Sequence, residues 1–177
     1  MVAAPRVLIL RAPGTNCDRE TAFAFEKAGA VVSAVHVHQL IEQASSGSSC
    51  QILCIPGGFS YGDDIAAGRI LAQRLAVHLQ DLINEFLHQD KLVIGICNGF
   101  QVLMRLGVFF PNSNGATPAT LTLNRQARFE DRWVHLSVGT TNSVFLKDIQ
   151  QLYLPVAHAE GRFVIRNEAA RAQLLDH

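Results

Sequence analysis

Four short strand-like runs occupy the first hundred residues, and helix-like segments separate most of them. Residues 7–10, 52–55 and 92–94 are unbroken apolar runs, as expected of parallel strands covered on both faces; residues 31–37 supply a fourth. A helix is predicted over 19–28, with Gly29 placed to end it. Leu71, Leu75, Leu79, Leu82 and Phe86 form one apolar stripe with a period near 3.6, which predicts a single long helix. Another helix is predicted over 98–106 and ends at Gly107. Strands that alternate with helices form βαβ units with right-handed crossovers. The expected fold is therefore α/β: an open, mostly parallel sheet with helices on both faces.

The Ser/Gly stretch at 45–49 reads as loop, as does the polar stretch 111–118. Beyond it, 133–138 alternates like a half-buried strand. Residues 152–157 and 162–165 are further strands, and 167–175 is a short helix. A length of 177 residues argues for one domain. An apolar fraction of 49% excludes a disordered chain. Fifteen basic and fifteen acidic residues leave a net charge of +0, so no basic surface for nucleic acid is expected. No apolar run approaches the roughly 18 residues of a membrane span. Residues 1–6 are too few for a signal peptide, so the expected location is cytoplasmic. Charged residues make up only 17%, which suits either a surface partly covered by a partner or an ordinary neutral enzyme. The cysteines at 17, 50, 54 and 97 form no Cys-x-x-Cys pair, so no zinc site is expected. Cys17, Cys50 and Cys54 read as structural thiols.

Cys97 differs. Gly95-Ile96-Cys97-Asn98-Gly99 follows a strand and opens a helix, the context required of a nucleophile elbow. The glycines allow the tight turn, and the turn lifts the sulfur to the carboxyl edge of the sheet. The helix N-terminus favours negative charge there and offers unpaired backbone N–H groups. Pro56-Gly57-Gly58-Phe59-Ser60-Tyr61-Gly62-Asp63 also follows a strand and should face Cys97. An oxyanion hole needs a backbone donor beside the one that follows the nucleophile, which suggests Gly57 or Gly58 with Asn98. The loop lacks a phosphate-binding glycine pattern and a P-loop lysine.

A thiol nucleophile works with a base. His78 and His88 lie off the apolar stripe and read as solvated. His36 and His38 stand at a strand end without a partner. His158 and Glu160 are two residues apart, so on a strand they would share a face, as a base and its orienting carboxylate do. An ordinary surface pair is the competing reading.

These segments, with Ala12-Pro13-Gly14-Thr15-Asn16-Cys17-Asp18 and Pro155-Val156-Ala157-His158-Ala159-Glu160-Gly161-Arg162, resemble the glutamine amidotransferase component of phosphoribosylformylglycinamidine synthase. This is a triad-type family of purine synthesis, and the resemblance runs from about Arg6 to Phe163. It implies that Cys97 attacks the side-chain amide of glutamine, forms a glutamyl thioester and releases ammonia. The ammonia would pass to a separate synthetase subunit, which uses ATP and magnesium to make formylglycinamidine ribonucleotide. A small accessory subunit would complete the complex. Gly57, Gly58 and Asn98 would hold the oxyanion, and Gln101 would help hold the substrate. No metal or organic cofactor is implied for this chain.

The family's catalytic pair resembles a His-Pro-Glu element on a later strand, and no His-Pro-Glu occurs here. His158 and Glu160 correspond to an earlier element of the family. The chain is therefore expected to be a glutamine amidotransferase domain lacking its last C-terminal strands. Three other readings stand beside this one. His158 and Glu160 could serve a shortened enzyme, the chain could be a non-catalytic docking subunit, or it could be a cysteine hydrolase of another α/β family.

Overall fold

The computed structural model describes residues 3–110, 118–139 and 143–175. Most of the predicted 111–118 loop lies outside them. The chain divides into two compact units, Met1–Val108 and Phe109–His177.

In the first unit the elements are β1 (Arg6–Arg11), α1 (Asp18–Lys27), β2 (Val31–His36), α2 (Val37–Glu42), α3 (Ser45–Ser48), β3 (Ile52–Ile55), α4 (Arg69–His78), α5 (Gln80–His88), β4 (Leu92–Gly95) and α6 (Asn98–Leu106). The strands pair in the order β2-β1-β3-β4, all parallel. From β1 the chain moves one way to β2, then crosses back to β3 and onward to β4. Right-handed crossovers in opposite directions put their helices on opposite faces, so α1 covers one face and the later helices the other. The side chains agree. Leu8, Leu10, Leu53 and Ile55 join one buried cluster with Leu40, Leu71, Leu75, Leu82, Phe86 and Val102. Val7, Ile9 and Cys54 alternate to the opposite face and are also fully buried.

Because the strands are parallel, their carboxyl ends share one edge of the sheet. The order reverses between β1 and β3, and open α/β sheets bind ligands at such a switch point. The loops after β1 and β3 therefore meet where a site is expected.

Two predicted elements differ. The long helix is two, α4 and α5, broken at Leu79 (φ −130°, ψ 20°). All five stripe residues remain buried, so burial holds the stripe together across the break. The 45–49 segment is one helical turn rather than loop. A Cβ on Gly47 would stand 2.9 Å from Leu8 Cδ2 and 3.2 Å from Leu82 Cδ2. Glycine therefore lets the backbone rest directly on the core, which turn propensity alone does not reveal.

In the second unit β5 (Ala119–Thr122) pairs antiparallel with β8 (Arg162–Ile165), and β6 (Glu130–Ser137) with β7 (Gln151–His158); α7 spans Glu168–Leu175. β5 has no counterpart among the predicted strands. The predicted alternation over 133–138 is weak: Trp133 and Leu136 are exposed, and Val134 is half-buried. Tyr153 lies opposite His135 and stacks against both His135 and Trp133, at 4.4 and 4.9 Å between ring centroids. Cross-strand stacking thus supports a ribbon that buries little apolar surface.

Candidate active site

Three loops build the site at the carboxyl edge of the first unit. Between β4 and α6, the Gly99 N–H donates to the Ile96 carbonyl at 2.9 Å and closes a tight turn. Cys97 is the second residue of that turn, at φ 53° and ψ −111°. These are the angles of a type II′ turn, where glycine is usual. A non-glycine residue there is strained by about 1–3 kcal/mol, and such strain collects at functional sites. The flanking glycines cannot be replaced freely. A Cβ on Gly99 would fall 1.8 Å from the Ile55 carbonyl oxygen, and one on Gly95 would fall 2.6 Å from Leu103 Cδ1. The thiol is exposed and stands as the N-cap of α6, where the helix dipole favours an anion.

The loops after β1 and β3 interlock through their backbones. Phe59 N–H donates to the Gly14 carbonyl at 3.0 Å, and Tyr61 N–H to that of Pro13 at 2.7 Å. Cys17 N–H donates to the Gly57 carbonyl at 3.4 Å. A Cβ on Gly14 would lie 2.0 Å from the Phe59 oxygen, and one on Gly58 would lie 2.7 Å from the Asn16 nitrogen. Thr15 and Gly58 face each other as an isolated antiparallel bridge. Neighbouring residues carry its hydrogen bonds, so the Gly58 N–H turns away from the first loop. The Gly57 backbone stands against the nucleophile: a Cβ there would lie 3.4 Å from Cys97 Cβ and 3.6 Å from Cys17 Sγ. The structure thus sets the Gly57 backbone against Cys97, with Gly58 next to it in the chain and Asn98 opening α6. Gln101 stands one turn along α6, and its side-chain oxygen accepts from Asn98 Nδ2 at 3.0 Å.

Cys17 corrects an expectation. Its thiol is exposed beside the elbow rather than packed inside. Burial, then the charges of Glu20, Cys97 and Asp18, pushes its pKa up. The signal that could have found it was its position, since it ends the loop that follows β1 at the switch point. Cys54 is a structural thiol as expected, and burial pushes it up to about 12. At pH 8 a neutral alkylating reagent should modify Cys97 readily. Cys17 should lag a free cysteine until the pH rises, because only its thiolate reacts. Cys54 should stay unmodified until the chain unfolds. Peptide mass mapping against time checks the order, and early labelling of Cys54 would contradict it.

The histidines divide. His78 and His88 are exposed, as predicted. His36 has a partner after all: it is the N-cap of α2, and its Nδ1 accepts from the His38 N–H at 3.3 Å. Burial, then the nearby His38, Arg11 and Arg74, pulls its pKa down. His158 and Glu160 do not share a strand face, because β7 ends at His158 and Glu160 lies in the bend beyond it. The His158 ring instead meets the Asn124 side chain, with Nδ1 3.1 Å from Oδ1. Asn124 Nδ2 also donates to the His158 carbonyl at 2.9 Å. The chain folds back so closely that a Cβ on Gly161 would lie 2.3 Å from the ring.

Residues 4–177 match the family model described as the CobB/CobQ-like glutamine amidotransferase domain. The chain belongs to this family. Among curated relatives, the phosphoribosylformylglycinamidine synthase subunit PurQ of Dehalococcoides mccartyi is 46% identical over 160 residues. That match covers 90% of this chain and 63% of the relative. The Treponema denticola subunit of the same name is 38% identical over 184 residues, covering 97% of this chain and 68% of the relative. A chain in the structure of PurLQS from Thermotoga maritima superposes with a TM-score of 0.74 at 28% identity. It covers 94% of this chain and 72% of that one. The chain spans about 60% of the length of several of these curated relatives. The likeness to the Thermotoga chain agrees with the expected α/β architecture of the amidotransferase fold. Among the described residues, no helix is long and apolar enough to cross a membrane.

Proposed function

We propose that this chain is the glutaminase component of phosphoribosylformylglycinamidine synthase. Cys97 is the nucleophile: its thiolate adds to the side-chain carbonyl of L-glutamine. The Gly58 and Asn98 N–H groups, with Gly57 keeping the backbone close, stabilise the oxyanion that develops. Collapse of the adduct expels ammonia and leaves a glutamyl thioester, which water hydrolyses to glutamate. Gln101 helps hold the substrate. The ammonia serves a separate synthetase subunit that consumes ATP with magnesium, and a small accessory subunit belongs to the same complex. The strained turn at Cys97, at a helix N-terminus and against the Gly57 backbone, is the observation that carries this reading.

The base and carboxylate that serve Cys97 are, in this proposal, not among these 177 residues. The amidotransferase domain includes both units. His158 already engages Asn124, and the sequence holds no His-Pro-Glu. The test uses the enzyme from its natural source, assembled with its synthetase. Acid quenching during glutamine turnover should trap a glutamyl adduct on the peptide that carries Cys97. Ammonia release with no adduct there would overturn the nucleophile assignment. Stable assembly with neither adduct nor ammonia release would favour a docking subunit.

A further inference from the structure

Asn98 carries two roles on one residue. Its backbone N–H is the oxyanion donor of the preceding section, whereas its side chain points away from Cys97 into the loop after β3. Asn98 is 3% exposed, and all the hydrogen-bonding capacity of its side-chain amide is used. Oδ1 accepts from the Ser60 N–H at 3.1 Å and from the Ser60 hydroxyl at 2.6 Å. Nδ2 donates to Asp63 Oδ1 and to Gln101 Oε1, each at 3.0 Å. Asp63 Oδ1 also accepts from the Gly68 N–H at 3.0 Å, the N-cap residue of α4. One amide therefore ties the start of α6, the loop after β3 and the start of α4.

The loop it ties is strained. Tyr61, Gly62 and Asp63 follow one another with φ of 55°, 71° and 52°. Two of the three carry side chains, and left-handed conformations persist in such residues only where surrounding contacts over-determine them. On one side the loop is held by backbone bonds to the Ala12–Asp18 segment. On the other side Asn98 holds it. Gly58 lies two residues before Ser60, so the same clamp sets where its N–H points.

We propose that the Asn98 side chain is a positioning residue that sets the spacing between the two oxyanion donors. It locks the Gly57–Asp63 loop to the helix that bears Asn98's own N–H. The inference rests on the reading of Cys97 as the glutaminase nucleophile and extends it to the support of its oxyanion hole. Aspartate at 98 keeps the shape and the acceptor but replaces Nδ2 with an oxygen facing the Asp63 carboxylate. Like charge at that distance opens the clamp.

Two measurements test this. The first is amide hydrogen exchange on the chain itself, wild type against Asn98→Asp. Peptides covering 59–68 should exchange at least about tenfold faster, while β1 and β3 keep their protection. Unchanged protection over 59–68 overturns the proposal. If Asn98→Asp does not fold, Ser60→Ala, which removes the hydroxyl bond to Oδ1, takes its place with the same two outcomes. The second is glutaminase kinetics in the assembled enzyme. For Asn98→Asp, kcat should fall about 30- to 100-fold with KM within about threefold, the mark of misplaced donors rather than lost binding. Adding Asp63→Asn removes the like charge and restores a donor towards the carboxylate at 98, but that donor cannot also accept from the Gly68 N–H as Asp63 Oδ1 does, so recovery should be partial, about threefold or more. No recovery, or a loss that falls mainly on KM, overturns the proposal. A wild-type enzyme that does not hydrolyse glutamine refutes the proposed function, and hydrogen exchange then decides the clamp by itself.

Discussion

Gly99→Ala should prevent this chain from folding stably. The added Cβ would stand 1.8 Å from the Ile55 carbonyl oxygen, 2.6 Å from its carbonyl carbon and 3.1 Å from its Cβ. These are atoms of β3, an inner strand whose four side chains are all buried, so no flexible group can swing aside. Either α6 moves off the sheet or the strand buckles. Both uncouple the buried contacts of Val102 and Leu103. The cost is on the order of 4 kcal/mol or more, a large part of the 5–15 kcal/mol that holds a domain together. Gly29→Ala is the control. Unlike Gly99, which is helical, it has a left-handed φ of 91°, yet nothing lies within 4 Å of its added Cβ. It should cost only about 1 kcal/mol, from backbone strain. Chemical denaturation of both variants measures the difference. A Gly99→Ala chain as stable as Gly29→Ala would mean that α6 does not rest on β3 as described.

Cys97→Ser should abolish glutamine hydrolysis in the assembled enzyme and leave the fold intact. The hydroxyl is a far weaker nucleophile than a thiolate, and loss of a nucleophile costs at least about a thousandfold in rate. A companion variant separates chemistry from strain. Cys97→Gly is equally inactive, but it removes the side chain from a residue at φ 53° and ψ −111°. It should therefore raise stability by up to about 1 kcal/mol, as expected where a strained residue is kept for function. Ammonia release and urea denaturation read the two effects. A Cys97→Ser enzyme of near wild-type rate would remove Cys97 from the mechanism. A Cys97→Gly chain less stable than wild type would show that the turn stores no strain.

Much of this protein follows from local signals. Each apolar run is a parallel strand; 7–10 and 52–55 are buried throughout, as cover on both faces requires, whereas β4 is half-buried along its length. Gly107 ends α6 in the left-handed conformation (φ 74°) that glycine adopts most readily. The elbow was legible because a strand, a glycine pair around cysteine and a helix start within five residues have one compact solution. Other features depend on residues far apart in the chain, which no local pattern records. The break at Leu79 reflects how α4 and α5 pack, since the stripe satisfies a straight helix and a broken one equally. Gly47 reads as loop until Leu8 and Leu82, far from it in sequence, close over it. His158 and Glu160 share a spacing that suggests a pair, yet the strand ends between them, and Asn124, 34 residues away, takes the ring. The clamp on Asn98 is likewise tertiary: Ser60 and Asp63 lie 38 and 35 residues away, and only the meeting of the β3 and β4 loops brings them to its amide. Sequence alone determined the four parallel strands and the strand–turn–helix elbow around Cys97, because backbone geometry and apolar burial act over a few residues. Tertiary structure decided which polar groups meet, because hydrogen bonds are directional and join whatever the sheet order places at one edge.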